Sequence, residues 1–266
     1  MSRHHKKKKH RIVNNVNDIK EIKINVLCDD KLYEKLQENI GAKESVKIWD
    51  MPQTHDNFPF FPMIDIIGMP SLGLYTAMEK YNLLMLEENT IGVVISTASE
   101  MLANTMQKAK LRQALMVPIL IVDEAEQAGA AETPTLILEK SRFDSEKELY
   151  DFLGRIIDSL LCVDTFDLGL LLNESGRLFF TYAAGEDLEI IADKLRDSLK
   201  NHDDICAKGS VVLAVYNIAN ADSFDAENFT SWTKGLHKLF GASCNFIDDV
   251  RENSSENSSV SMWIKI

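Results

Sequence analysis

The chain has 266 residues, 45% hydrophobic and 26% charged, with a net charge of −12. That is an ordinary globular composition with room for one large domain or two small ones. It contains no run of about 18 or more apolar residues, so no transmembrane helix is expected, and its basic start leads into no apolar stretch of the kind that makes a secretory signal. Four cysteines, Cys28, Cys162, Cys206 and Cys244, stand without CxxC spacing. They read as reduced, unpaired thiols of a cytoplasmic protein, with neither a metal site nor a disulfide framework expected.

The charge is unevenly spread. Residues 1–11 hold six of the Lys and Arg and no acid, so −18 remains on the rest of the chain. The acidic body is unsuited to nucleic acid or anionic lipid. The tail is suited to either, since each Lys or Arg at an anionic surface contributes about 1 kcal/mol. Otherwise it is a solvated, disordered leader over 1–18. His4, His5 and His10 lie in this cationic strand, a poor setting for a metal ion.

Beyond the tail, residues 21–28 (EIKINVLC) alternate as a strand does. Residues 29–40 set Leu32, Leu36 and Ile40 at helical spacing behind an aspartate cap, with Gly41 to end them. A short strand is predicted at 45–50. Residues 52–73, with four prolines and several aromatics, read as a structured loop, and 74–86 as a helix. The runs at 90–97 (TIGVVIST), 117–124 (VPILIVDE) and 133–140 (TPTLILEK) read as buried strands, with a helix at 98–116 and a small, flexible loop at 125–134. Continuous apolar strands alternating with helices argue for a parallel sheet covered on both faces. Residues 145–161 carry Leu149, Phe152, Leu153, Ile156, Ile157, Leu160 and Leu161, nearly two apolar faces, as expected of a helix buried between layers.

The second half changes character, with strands at 177–185, 210–220, 242–250 and 259–266 and helices at 187–200 and 224–240. This order predicts an α+β sandwich with helices on one side of a mixed sheet. The fold expected is therefore α/β: a Rossmann-like parallel-sheet domain over 19–144, joined by a central helix at 145–161 to a smaller α+β domain over 162–266.

From Asp164 onward, the stretch DTFDLGLLLNESGRLFFTYAAGEDLEIIADKL resembles the loop, helix, strand and Gly-Glu-Asp turn that open the C-terminal domain of the tubulin/FtsZ superfamily. Asp164 and Asp167 stand where that family has its acidic D-x-x-D loop. Gly176 and Arg177 follow after the family's interval, and Ala184, Gly185, Glu186 and Asp187 match its turn before a helix. GSVVLAVYNIAN resembles a later strand, and CNFIDDV with SVSMWIKI its closing strand pair. The match covers roughly residues 150–266 and rests on the order of motifs.

The first half departs from that family at the nucleotide site. Such a site needs a glycine-rich turn after the first strand and a G-G-G-T-G-[ST]-G loop, because glycine lets backbone N–H groups close around phosphates at a helix N-terminus. Here the first turn carries Asp29 and Asp30, two carboxylates that repel a triphosphate. The counterpart of the signature loop, STASEMLANTMQKAK, has no glycine, only Ser96, Thr97 and Ser99 as possible helix caps. The residues imply a degenerate nucleotide site, with GTP not expected as a cofactor and no catalytic residue assigned.

In the family, the acidic loop of one subunit enters its neighbour's nucleotide pocket and polarises the attacking water, a role that suits a carboxylate. The resemblance thus assigns Asp164 and Asp167 to a partner interface, with Cys162 replacing the Asn that usually precedes them. Alternatively both aspartates merely cap the following helix. The partner implied is an FtsZ-like protomer or a second copy of the chain, in a filament or at its end. A competing reading is a small-molecule or nucleotide-binding α/β module using Ser96, Thr97 and Asp123 at the strand ends, or a weak residual GTPase. His55 beside Asp56, and His202 with Asp203 and Asp204, read as polar loops. Phe58, Phe60 and Phe61 are either a partner site or a plug against the sheet.

Overall fold

The structure is a computed structural model that describes residues 22–40, 45–51, 90–100, 102–103, 106–107, 115–123, 134–163, 165–173, 176–186, 188–200, 203–219, 226–240, 244–253 and 257–266. The basic tail, the proline-aromatic loop with Phe58, Phe60 and Phe61, the helix expected at 74–86, and His55, Asp56, Asp164 and His202 lie outside the described residues.

The described strands are β1 (Lys23–Asp29), β2 (Val46–Met51), β3 (Thr90–Ser96), β4 (Met116–Val122), β5 (Thr135–Glu139), β6 (Arg177–Gly185), β7 (Val211–Ala219), β8 (Asn245–Asn253) and β9 (Ser258–Lys265). They form one sheet in the order β2-β1-β3-β4-β5-β6-β9-β7-β8. From β2 through β6 every pairing is parallel. The apolar runs explain this, because all seven residues of β4 are buried and a parallel strand is covered on both faces. Gly92 in β3 lets Met116 of β4 lie close, since a Cβ there would stand 1.8 Å from the Met116 sulfur. The β5–β6 junction has only two rungs, Thr135–Arg177 and Leu136–Leu178, so it is the narrowest seam of the sheet.

The described helices are α1 (Asp30–Ile40), α2 (Glu146–Leu160), α3 (Thr165–Leu172), α4 (Leu188–Lys200), α5 (Asp203–Lys208) and α6 (Ala226–His237). Helical backbone also occurs at 99–100, 102–103 and 106–107. At the start of α2, the Ser145 hydroxyl accepts the Glu148 N–H at 3.2 Å, and the Glu148 carboxylate accepts the Asp144 N–H at 2.8 Å. The first bond satisfies a donor that the helix leaves open, and the second ties down the chain just ahead of the cap. Leu149, Leu153, Ile156, Ile157 and Leu160 of α2 belong to a buried cluster that runs from Ile24 and Val93 to Leu213 and Trp263. This is the helix expected at 145–161, and it forms a spine through that cluster.

In the second half, helices cover both faces of the sheet rather than the one expected. Leu168 and Leu171 of α3 pack with Leu213, Val215 and Trp263. Ile191 and Leu195 of α4, Cys206 of α5 and Leu236 of α6 pack with Val212, Tyr216, Met262 and Ile264 on the opposite face. Because β7 and β9 bury residues on both faces, one layer of helices cannot cover them. The two closing strands also differ from the reading as a pair. β9, buried along all eight residues, lies antiparallel between β6 and β7, while β8, with the charges of NFIDDVREN, takes the edge. Asp203 and Asp204 open α5 instead of forming a polar turn, as suits acids at a helix N-terminus.

Candidate functional site

At the C-terminal ends of the parallel strands, β1 ends at Asp29 and α1 begins at Asp30, with no residue between them. The neighbouring strand β3 is level with it, as the Cys28–Ile95 rung precedes Asp29 and Ser96. Ser96 is fully buried and its hydroxyl is used inside its own turn. It accepts the Ala98 N–H at 3.0 Å and donates to the Ala98 carbonyl at 3.1 Å. That carbonyl also accepts the Leu102 N–H at 3.1 Å, so the helix opens at once. Thr97, Ser99 and Glu100 are exposed. Asp123, just past β4, is ion-paired with Lys140 at 2.9 Å. The structure thus gathers Asp29, Asp30, Ser96, Thr97 and Ser99 at adjoining strand ends. The turn at 96–98 is a tight one closed by its own serine.

The second region lies at the other end of the spine. The last turn of α2 tightens, with Cys162 N–H bonded to the Ser159 carbonyl at 3.1 Å and Val163 N–H to that of Leu160 at 3.3 Å. Cys162 is half-buried against the main core, and Val163 is buried. Asp167 follows in the first turn of α3, half-buried, where a carboxylate interacts favourably with the helix dipole. Of the two aspartates assigned to this loop, Asp167 is thus held on a regular helix.

Sequence reasoning missed the apolar face of that helix. Phe166 is 72% exposed and Leu170 38%, one turn apart, while a Cβ at Gly169 would meet nothing within 4 Å. The signal was available in TFDLGLLL. Leu168 and Leu171 suffice to anchor so short a helix, which leaves Phe166 and Leu170 in excess of what one face can bury. At the C-terminal end of α3, the buried Lys265 ammonium donates to the Asn173 carbonyl.

A polar network that the sequence did not suggest joins β7, β8 and α6. The Tyr216 hydroxyl donates to Asp248 at 2.8 Å, and His237 Nε2 lies 3.2 Å from the same carboxylate. Phe246 stacks on the His237 ring at 3.9 Å between centroids. Burial first, then the Asp248 charge and its hydrogen bond, push the Tyr216 phenol well above its ordinary value. A small cavity of about 60 Å³ lies beside the β5–β6 seam, lined by Phe143, Phe152, Phe179 and Phe180 with Glu139 and Arg142. Among the described residues, no three His, Cys, Asp or Glu side chains are grouped to hold a metal ion, and no helix is long and apolar enough to cross a membrane.

No protein-family model and no curated protein matches this sequence. Solved structures do match its fold. An FtsZ dimer from M. jannaschii, described as empty, superposes with a TM-score of 0.57 at 8% identity, over 93% of this chain and 89% of that one. A GTPγS-form protofilament of TubZ from Bacillus thuringiensis serovar israelensis gives 0.56 at 12% identity, over 92% and 88%. CetZ2 from Haloferax volcanii, in a GTPγS-bound protofilament, gives 0.53 at 14% identity, over 91% and 92%. The chain therefore has the tubulin/FtsZ fold along almost its whole length, well beyond the residues from about 150 onward that carry the resemblance in sequence.

Proposed function

We propose that this protein is a filament-associated, non-hydrolysing relative of the FtsZ and tubulin cytoskeletal proteins, docking through the outer face of α3, with Asp164 and Asp167 as its acidic pair. The carrying observation is the contrast between the two ends of the spine. At one end, β1 passes into α1 with no loop, and Ser96 closes the neighbouring turn with its own hydroxyl. Neither turn has the glycine that lets a backbone wrap around phosphates. At the other end, α3 holds Asp167 in its first turn and turns Phe166 and Leu170 outward.

The subunit so described meets the nucleotide end of an FtsZ-like protomer, or of a second copy, and offers no phosphate cradle of its own to the next. Added to a filament, it modulates or terminates growth in one direction. GTP has no assigned place in it, and the aspartates contribute recognition rather than turnover. Co-sedimentation with an FtsZ-like polymer tests this reading. The wild-type chain is expected to pellet with the polymer and the Asp164→Ala, Asp167→Ala double variant to remain in the supernatant. Equal pelleting of the two would refute the assigned face.

A further inference from the structure

We infer that Lys265 is a positioning residue for the α3 face, its buried ammonium fixing the C-terminal end of the helix that presents Asp167, Phe166 and Leu170. The functional consequence rests on the docking reading above; the structural claim does not.

Lysine is rarely buried without a specific partner, because removing the ammonium from water is costly. Lys265 is only 6% exposed, and its Nζ donates to the Asn173 carbonyl immediately after α3. The last carbonyls of a helix have no partner within it, and a cation there meets the negative end of the helix dipole. Lys265 itself cannot drift. It lies on β9 between β6 and β7, on the Leu178 and Val211 rungs. Just beyond it, Ile266 and Arg177 exchange both backbone hydrogen bonds at 2.9 Å. The ammonium therefore ties an eight-residue helix to an interior strand.

Gly176 supplies the second observation. Its φ is +156°, and a Cβ there would stand 2.8 Å from the Ile266 carbonyl oxygen and 3.5 and 3.6 Å from Cε and Cγ of Lys265. Glycine is thus required by the close Ile266 carbonyl, while the lysine stem passes this position at ordinary contact distance on its way to Asn173. On the same face of the sheet, Leu168 and Leu171 hold the inner side of α3 by apolar contact, which is not directional and resists lifting better than sliding. The lysine sets where the helix stops, and hence the level at which its outer residues stand.

The test compares Lys265→Met and Lys265→Arg in the full chain, by amide hydrogen exchange and by co-sedimentation with an FtsZ-like polymer. Lys265→Met should unfold cooperatively, raise exchange at residues 165–173 at least tenfold above any change in β7 and β9, and weaken co-sedimentation about tenfold. Lys265→Arg should restore both. Unchanged exchange at 165–173 in Lys265→Met, or an arginine variant as impaired as the methionine one, would overturn the assignment. Should Lys265→Met not fold, Lys265→Gln takes its place with the same local signature expected. A wild-type chain that never pellets would overturn the docking reading, while the exchange measurement still decides the role of Lys265.

Discussion

The indole N–H of Trp263 donates a 2.7 Å hydrogen bond to the hydroxyl of Ser159, and both side chains are buried. The bond links the spine helix α2 to the interior strand β9, across 104 residues of sequence. Phe180 adds an edge-on contact to the same indole at 4.9 Å between centroids. Removing the serine hydroxyl strands a buried donor. Ser159→Ala is therefore expected to cost about 1–3 kcal/mol in urea unfolding. Trp263→Phe also loses packing, but combining the two should cost less than their sum, by about 0.5–3 kcal/mol. Strict additivity would mean that the bond contributes nothing to joining the two halves.

The first half has its own close contact. A side chain at position 92 runs into the Met116 sulfur, which is buried and has little room to turn. Gly92→Ala should destabilise by about 1–3 kcal/mol, as overpacked cores do. Adding Met116→Ala should recover part of that loss, although it is destabilising alone. A double variant weaker than the sum of both would argue against this packing.

Alkaline pH offers a direct test of the Tyr216–Asp248 contact. The folded phenol is held well above its ordinary value, so above about pH 10 the unfolded chain releases this proton first. The stability contributed by the raised value is fully present below about pH 10 and is lost as pH rises toward the folded value. Urea midpoints of the wild type should fall from pH 9 to pH 11 more steeply than those of Tyr216→Phe. Parallel curves would show that the phenol is not held protonated by burial and Asp248.

Phe166 and Leu170 are exposed, so their loss should leave the fold almost intact. Phe166→Ser and Leu170→Ser are each expected to cost no more than about 1 kcal/mol of stability. Together they should weaken co-sedimentation tenfold or more, equivalent to about 1.4 kcal/mol of binding. Unimpaired pelleting would remove the apolar face from the interface.

Much of this architecture was legible because apolar periodicity marks buried faces. The runs TIGVVIS and MVPILIV could be little other than interior parallel strands, and the double-faced apolar pattern of 145–161 placed the spine between layers. What the chain order concealed was pairing across distance. SVSMWIK and NFIDDVREN are neighbours in sequence and not in the sheet, and the difference lies in their charge. An eight-residue strand buried throughout must be interior, whereas Asp248, Asp249 and Arg251 suit an edge. At the strand ends, the lack of glycine could be read directly. The role of Ser96 could not, because its bonds to Ala98 depend on the conformation of a single turn. The contact of Lys265 with Asn173 spans 92 residues and leaves no local pattern at all.

The proposed absence of a nucleotide from the first half, beside a docking face in the second, is tested most directly by titration calorimetry of the purified chain with GTP and GDP in magnesium. No binding heat at ligand concentrations up to about 1 mM, a free energy weaker than about −4 kcal/mol, is the predicted result. Micromolar binding of either nucleotide would contradict the account and make the turns at Asp29 and Ser96 part of a working site.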